Sequence, residues 1–224
     1  MHLTKNRKKQ IDGIDLNKSY PVNEAIKLLK EKKFVKFDES VEVSINTGID
    51  SKQSDQNVRG SFVPPHGLGK KVDIAVFAQG KSAEEAKSLG VKKVGGEDLV
   101  LALQEKIDVD VIIATPDMMS IVSKIAKVLG PKGLMPNPKT GTVTNDVKST
   151  IQNINKGLVA YKNDKAGTIH AALGKISFDE NHLNENINSF IEEIKKIKPS
   201  GVKGNFINSI FISSTMGFGL KVEV

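Results

Sequence analysis

The hydrophobic pattern of this 224-residue chain changes twice, and its two ends share one style. Near the start, Glu24–Lys33 places Ala25, Ile26, Leu28 and Leu29 at helical spacing, and residues 40 to 45 then alternate strictly as Ser, Val, Glu, Val, Ser, Ile. Alternation with a period of two marks a strand with one buried side. Between 68 and 158 the pattern differs: short apolar runs (Val72–Ala78, Val91–Val94, Val109–Ala114) are separated by helical stretches (Ser82–Leu89, Asp98–Lys106). After Leu158 alternation returns in Thr168–Leu173. A long helix with Leu183, Ile187, Phe190, Ile191, Ile194 and Ile197 follows, ended by Pro199 and Gly201, and a final strand runs from Phe206 to about Thr215. The expected fold class is therefore α/β with two domains. An α+β split-sheet domain is built from both termini (1–67 plus 159–224), and a three-layer Rossmann-like α/β domain (68–158) is inserted into it.

Local signals refine this division. Pro64-Pro65-His66-Gly67-Leu68-Gly69 is rigid, then flexible, and reads as a boundary or hinge. A long polar loop is expected from the first strand to about Arg59. Ser82 with Glu85 fits a capping box, and Gly90 fits a helix stop. A helix over Met118–Leu129 precedes Gly130–Gly141, where three prolines and three glycines exclude regular structure, and a last helix is expected near Asn145–Lys156.

Three of the expected strands share a polar side of small groups. Val41, Val43 and Ile45 oppose Ser40, Glu42 and Ser44; Ile169, Ala171 and Leu173 oppose Thr168 and His170; Ile210 and Ile212 oppose Ser209, Ser213 and Thr215. If these strands form one sheet, its open face carries hydroxyls, one histidine and one carboxylate rather than lysines or aromatics. Such a face can approach a polynucleotide backbone closely, although strands with one wet side are also ordinary architecture. Thr215-Met216-Gly217-Phe218-Gly219 then puts two glycines, a methionine and a phenylalanine at the end of the last strand. Met and Phe are more often core residues.

The net charge of +7 favours a polyanionic partner, because neutralising phosphates releases counterions. Of the 33 basic residues only Arg7 and Arg59 are arginine. Reading base edges in duplex DNA leans on bidentate arginine, so backbone and shape recognition is the better match. The absence of cysteine excludes disulfides, thiolate nucleophiles and cysteine-ligated metals. No apolar stretch approaches the roughly 20 residues that span a bilayer, and the basic start (Met1–Gln10) has no apolar segment behind it, so a cytoplasmic protein with no membrane partner is expected.

An enzyme using nucleotides is the alternative class. Gly67-x-Gly69 lacks a third glycine, since position 72 is Val, and Lys139-Thr140 follows Pro138 where a phosphate loop needs glycine. His2, His66, His170 and His182 are scattered without metal-ligand spacing, so no metal, cofactor or catalytic residue is expected. The enzyme reading predicts that ATP or NAD raises the melting temperature.

The segment Val128-Leu-Gly-Pro-Lys-Gly-Leu-Met-Pro-Asn-Pro-Lys139 resembles the signature of the bacterial large-subunit ribosomal proteins of the L-one family. Lys36–Val41, Ser54–Gly60, Asn163-Asp164-Lys165 and Ser214–Gly217 agree with the same family, in its order, over nearly the whole chain. Ser40 and Ser214 stand where the family often has Thr, and Phe218 and Leu220 are bulkier than usual there. The resemblance implies a ribosomal protein, monomeric when free, that binds large-subunit rRNA at the mobile side stalk. It further implies attendance on release of deacylated exit-site tRNA and repression of its own operon mRNA. It places the RNA surface at Lys36, Phe37, Ser40, Glu42, Asp164, Lys165, Thr168, His170, Thr215, Met216 and Gly217, to which the polar-face pattern adds Ser213. Phe37 shares the parity of Val41 and Val43, so a strand beginning that early would turn it into the core. Lys132 and Lys139 on the inserted lobe are either further phosphate contacts or plain solvated charges.

Overall fold

The computed structural model describes residues 5–105, 107–202 and 204–223. The first four residues of the basic leader, and Lys106 at the expected end of one helix, lie outside the described residues. By packing, the chain divides into two compact units, Met1–Gly69 with Val159–Val224, and Lys70–Leu158.

The first unit opens with α1 (Lys5–Ile11), β1 (Ser19–Tyr20), α2 (Val22–Glu31), β2 (Ser40–Thr47) and β3 (Arg59–Phe62). The second holds β4 (Ile74–Phe77), α3 (Lys81–Ser88), β5 (Lys93–Gly95), α4 (Glu97–Glu105), β6 (Val111–Ala114), α5 (Met119–Ser123), α6 (Ala126–Leu129) and α7 (Val147–Asn155). The chain then returns to the first with β7 (Val159–Lys162), β8 (Thr168–Lys175), α8 (Glu180–Lys196), β9 (Ile207–Ser214) and β10 (Gly219–Val222).

In the first unit five strands form one sheet in the order β1-β10-β9-β2-β8, antiparallel except for the β1/β10 pair. Strand alternation sends Val41, Val43, Ile45, Ile169, Leu173, Ile210, Ile212, Leu220 and Val222 to one side. There they pack with Ala25, Ile26 and Leu29 of α2 and with Leu183, Ile187, Phe190, Ile191 and Ile194 of α8. Each fully buried side chain of this kind contributes about 1.5–3 kcal/mol, so the period of two in the strands and of 3.6 in the helices are selected by one slab. β3 and β7 form a separate antiparallel ribbon. It is held by Phe62 and Tyr161, whose rings meet Phe190 edge-on at 5.4 and 5.7 Å.

The second unit is a parallel sheet, β5-β4-β6. All four residues of β4 are buried. Ile74 and Val76 pack with Ile113, Val147, Ile151 and Ile154 on one side. Ala75 and Phe77 pack with Leu99, Leu103, Val122 and Leu129 on the other. Helices thus cover both faces, the three-layer arrangement expected of a parallel sheet.

Several sequence expectations need correction. Gly80, not Ser82, precedes α3, and no side chain caps it; Ser82 already lies inside the helix. Gly90 does end α3. With φ at +81°, its N–H reaches the Lys87 carbonyl, while Val91 N–H reaches Ala86. The single helix over Met118–Leu129 is instead a tight turn followed by α5 and α6. Lys124 and Ile125 donate three residues back, which interrupts the ladder while Val122, Ile125 and Leu129 stay buried. The polar loop before Arg59 contains one 3-10 turn, Ser54–Gln56, and ends in the unexpected strand β3. β10 was also unexpected: Phe218 and Leu220, bulky for a loop, are core residues.

Candidate nucleic-acid interface

The side of the five-stranded sheet away from α2 and α8 is open. Register places Glu42 between Ser213 and Ala172, Ser44 between Phe211 and His170, and Asn46 between Ser209 and Thr168. Ser40, Glu42, Thr168, His170 and Ser213 therefore lie on one face, on three strands about 4.8 Å apart. The expectation that this face lacks lysines and aromatics was wrong. Phe211, 38% exposed, has the parity of Ser209 and Ser213. Lys221 lies opposite Phe211 on β10. Lys175 reaches the edge of the face because a register shift between Val41 and Glu42 sets it against Ser40, where its Nζ donates to Ser40 Oγ at 2.9 Å.

At one end of the face the chain turns at Thr215–Gly217. Ser40 N–H donates to Thr215 Oγ1 (3.0 Å), and Thr215 N–H donates to the Ser40 carbonyl (3.1 Å), which fastens the turn to the start of β2. Beneath it lies Glu39, only 1% exposed. Its Oε1 accepts from Met216 N–H (2.8 Å) and from Ser214 Oγ (3.1 Å). From outside, Arg7 Nη1 donates to the Met216 and Gly217 carbonyls at 3.0 and 2.6 Å. A Cβ at Gly217 would collide with Ser214 Oγ, so glycine is favoured by close approach rather than by φ, and any side chain there has to push that hydroxyl aside. The Met216 side chain is left 48% exposed.

At the other end, the β7–β8 turn carries Asp164 and Lys165. Asp164 Oδ1 accepts from Ala166 N–H and Thr168 N–H, both at 2.8 Å, and Oδ2 lies 3.7 Å from His170 Nε2. The Thr168 amide, ahead of the Ala166 amide and His170, holds the Asp164 carboxyl below its usual range. His170 Nδ1 shares a 3.0 Å hydrogen bond with Ser44 Oγ. Buried Asn163 supports the turn from behind: its Oδ1 accepts from Val58 N–H (2.9 Å), and its Nδ2 donates to Asn57 Oδ1 (3.2 Å). Lys165 is exposed, and Ser51 Oγ donates to its carbonyl.

Lys36 and Phe37 precede β2 outside any regular element, and both are exposed, Phe37 by 51%. The parity conflict is removed because the strand begins only at Ser40. The Gly-Pro-rich segment belongs to the second unit, where it is ordered by Asn137. Asn137 Oδ1 accepts from Lys139 N–H, and its own N–H donates to Thr142 Oγ1, both at 2.8 Å. Lys132 and Lys139 are exposed.

Sequence reasoning missed Glu39, Arg7, Phe211, Asn163 and Lys175 as members or supports of this surface. Parity alone could have found Phe211. Glu39 and Asn163 sit inside the motifs quoted above, but no pattern says that a carboxylate beside a strand start is buried. Two pairs of those motifs meet in space: Lys36–Val41 with Ser214–Gly217, and Ser54–Gly60 with Asn163-Asp164-Lys165. Among the described residues, no group of three or more His, Asp or Glu is placed to hold a metal ion.

Residues 29–218 match the model of the ribosomal protein L1p/L10e family. The large ribosomal subunit protein uL1 of Coxiella burnetii (strain Dugway 5J108-111) is 50% identical over 222 residues, 99% of this chain and 96% of the relative. That of Thermosipho africanus is 52% identical over 212 residues, covering 94% and 91%. That of Pseudoalteromonas atlantica is 49% identical over 222 residues, covering 99% and 95%.

Proposed function

The chain belongs to the ribosomal protein L1p/L10e family, and from that premise we propose that the open face of its five-stranded sheet binds large-subunit rRNA at the mobile side stalk. It is a structural constituent of the large ribosomal subunit and not an enzyme. Among the described residues no helix is long and apolar enough to cross a membrane.

The observation that carries the RNA reading is a polar sheet face closed at both ends by turns whose backbone groups are already tied down. An RNA helix presents 2'-hydroxyls and phosphates across a wide, shallow minor groove. Ser40, Ser213, Ser44 and Thr168 are short enough to meet that surface. Glu42, acidic among phosphates, accepts from a 2'-hydroxyl or a base amino group. Lys36, Lys165 and Lys221 supply attraction without sequence preference, and the exposed Phe37 and Met216 pack on a sugar or base. Asp164 shapes its own turn while its second oxygen faces His170.

On this reading residues 1–67 with 159–224 are the RNA-binding domain and 68–158 the inserted one. The protein is a monomer when free, works on the cytoplasmic ribosome, assists release of deacylated tRNA from the exit site, and represses translation of its own operon mRNA by binding a similar fold there. A gel shift with the isolated stalk helix region of the rRNA, alongside a mutated stalk, tests the central claim. A tight shift of the native stalk alone is expected; equal shifts of both RNAs overturn it.

A further inference from the structure

We propose that Glu39 is a positioning residue for RNA recognition: it holds the Thr215–Gly217 turn in its binding shape before RNA arrives. The proposal rests on the RNA reading of the sheet face and adds to it a residue that does not itself meet the RNA.

Burial is the first argument. A carboxylate removed from water is strongly unfavourable unless hydrogen bonds replace its hydration, yet Glu39 is 1% exposed, directly before a strand that begins at the surface. Its backbone is fixed as well, with its carbonyl accepting from Ile176 N–H at 2.9 Å. An apolar residue would fill that space without the desolvation, so the carboxylate is explained by what it accepts. Of the two acceptances at Oε1, that from Met216 N–H comes from the turn and that from Ser214 Oγ from the last residue of β9, directly before it.

The turn is closed from the other side too. Arg7 takes the Met216 carbonyl that Glu39 leaves, and the neighbouring Gly217 carbonyl with it. The Met216 peptide groups are thus satisfied within the protein, and the side chain is what the turn presents outward. The same geometry explains Gly217, because any side chain there would displace the Ser214 hydroxyl from Glu39. A recognition loop fixed in advance loses less conformational freedom on binding, so its ordering does not subtract from affinity.

Two variants of equal charge change separate the acceptor from everything else Glu39 provides. Glu39→Gln keeps an oxygen for Met216 N–H and Ser214; Glu39→Met keeps the bulk and removes the acceptor. With the full chain and the isolated stalk helix of large-subunit rRNA at fixed salt, Glu39→Met is expected to bind about tenfold more weakly and Glu39→Gln within about threefold of the parent. In the free protein, amide exchange at Met216 should quicken in Glu39→Met while Ile212 in the core of β9 keeps its protection. Equal affinity of Glu39→Met and parent overturns the proposal, as do equal losses in both variants. So does loss of Ile212 protection, because Glu39 would then hold the domain rather than the turn. If the parent itself fails to shift the stalk RNA, the RNA reading has failed instead.

Discussion

The two sheets of the molecule differ in how many of their faces are covered. In β2 burial alternates residue by residue, and the side facing away from α2 and α8 is open. In β4 every residue is buried, and helices close both faces. A doubly covered sheet can present only strand ends and loops to a partner, whereas a singly covered one presents a broad, rigid plane. A broad plane suited to recognition therefore lies in the first unit, and the Gly-Pro-rich segment, the most conspicuous motif in the sequence, lies in the other.

The largest effects should come from the covered sides. Phe190 packs in the core of the first unit and takes the edges of both Phe62 and Tyr161, so Phe190→Ala should cost about 3–5 kcal/mol in urea unfolding. Phe77→Ala removes a fully buried ring from the second sheet, with a loss of the same order. The comparison predicts that only the first touches recognition. At a temperature where both variants remain folded, Phe77→Ala should leave stalk-RNA affinity as in the parent, and a weakened complex would break the assignment of binding to the open face.

Next in size is the open face itself. Thr215→Val keeps the shape and removes the oxygen that accepts from Ser40 N–H and that would meet RNA. A loss of about 1–3 kcal/mol in affinity is expected with the fold retained. A filter-binding titration at constant salt decides it, and an unchanged dissociation constant removes Thr215 from the site.

How much of this was readable beforehand follows from the physics of each signal. Alternation in β2, β8 and β9 is imposed by a half-covered sheet, so it appears in the sequence, and the inward and outward sets were assigned correctly there. Runs such as Val72–Ala78 are imposed by double burial and were equally visible. β3 and β10 were hidden because they are four residues long and contain or adjoin glycine, which reads as loop. Without β10 the sequence gives Lys221 no partner strand, and Phe211 is masked by the two serines of its own parity on either side. The break between α5 and α6 was hidden because its apolar residues keep helical spacing while the hydrogen bonds tighten. Glu39 was hidden for a different reason. Its role depends on a contact with Ser214 and Met216, about 175 residues away in the chain, which no local pattern encodes.

A smaller effect should come from the lysines that flank the plane. Lys221 stands beside Phe211 in the middle row. If it neutralises one phosphate, Lys221→Ala should lower the slope of log affinity against log salt by about 0.7–0.9 while weakening native and mutated stalk RNA alike. The same change at Lys139, on the second unit, distinguishes a solvated loop charge from a phosphate contact. An unaltered slope is expected if the open face is the whole of the interface.

The smallest effect is predicted at the β7–β8 turn, through pH. Asp164 is held below its ordinary value of 3.8, chiefly by the Thr168 amide and further by the Ala166 amide and His170, all of which favour the charged carboxylate in the folded protein. A group whose folded pKa is depressed adds stability above its unfolded value and loses it as pH falls through the folded one. Asp164→Asn keeps an oxygen for both amides but does not titrate, so the gap in melting temperature between parent and variant should close as pH falls below 3.8. The exposure of the carboxylate keeps that gap small, because solvent screens its interactions. A gap that stays open well below pH 3.8 would mean that the charged carboxylate does not organise the turn.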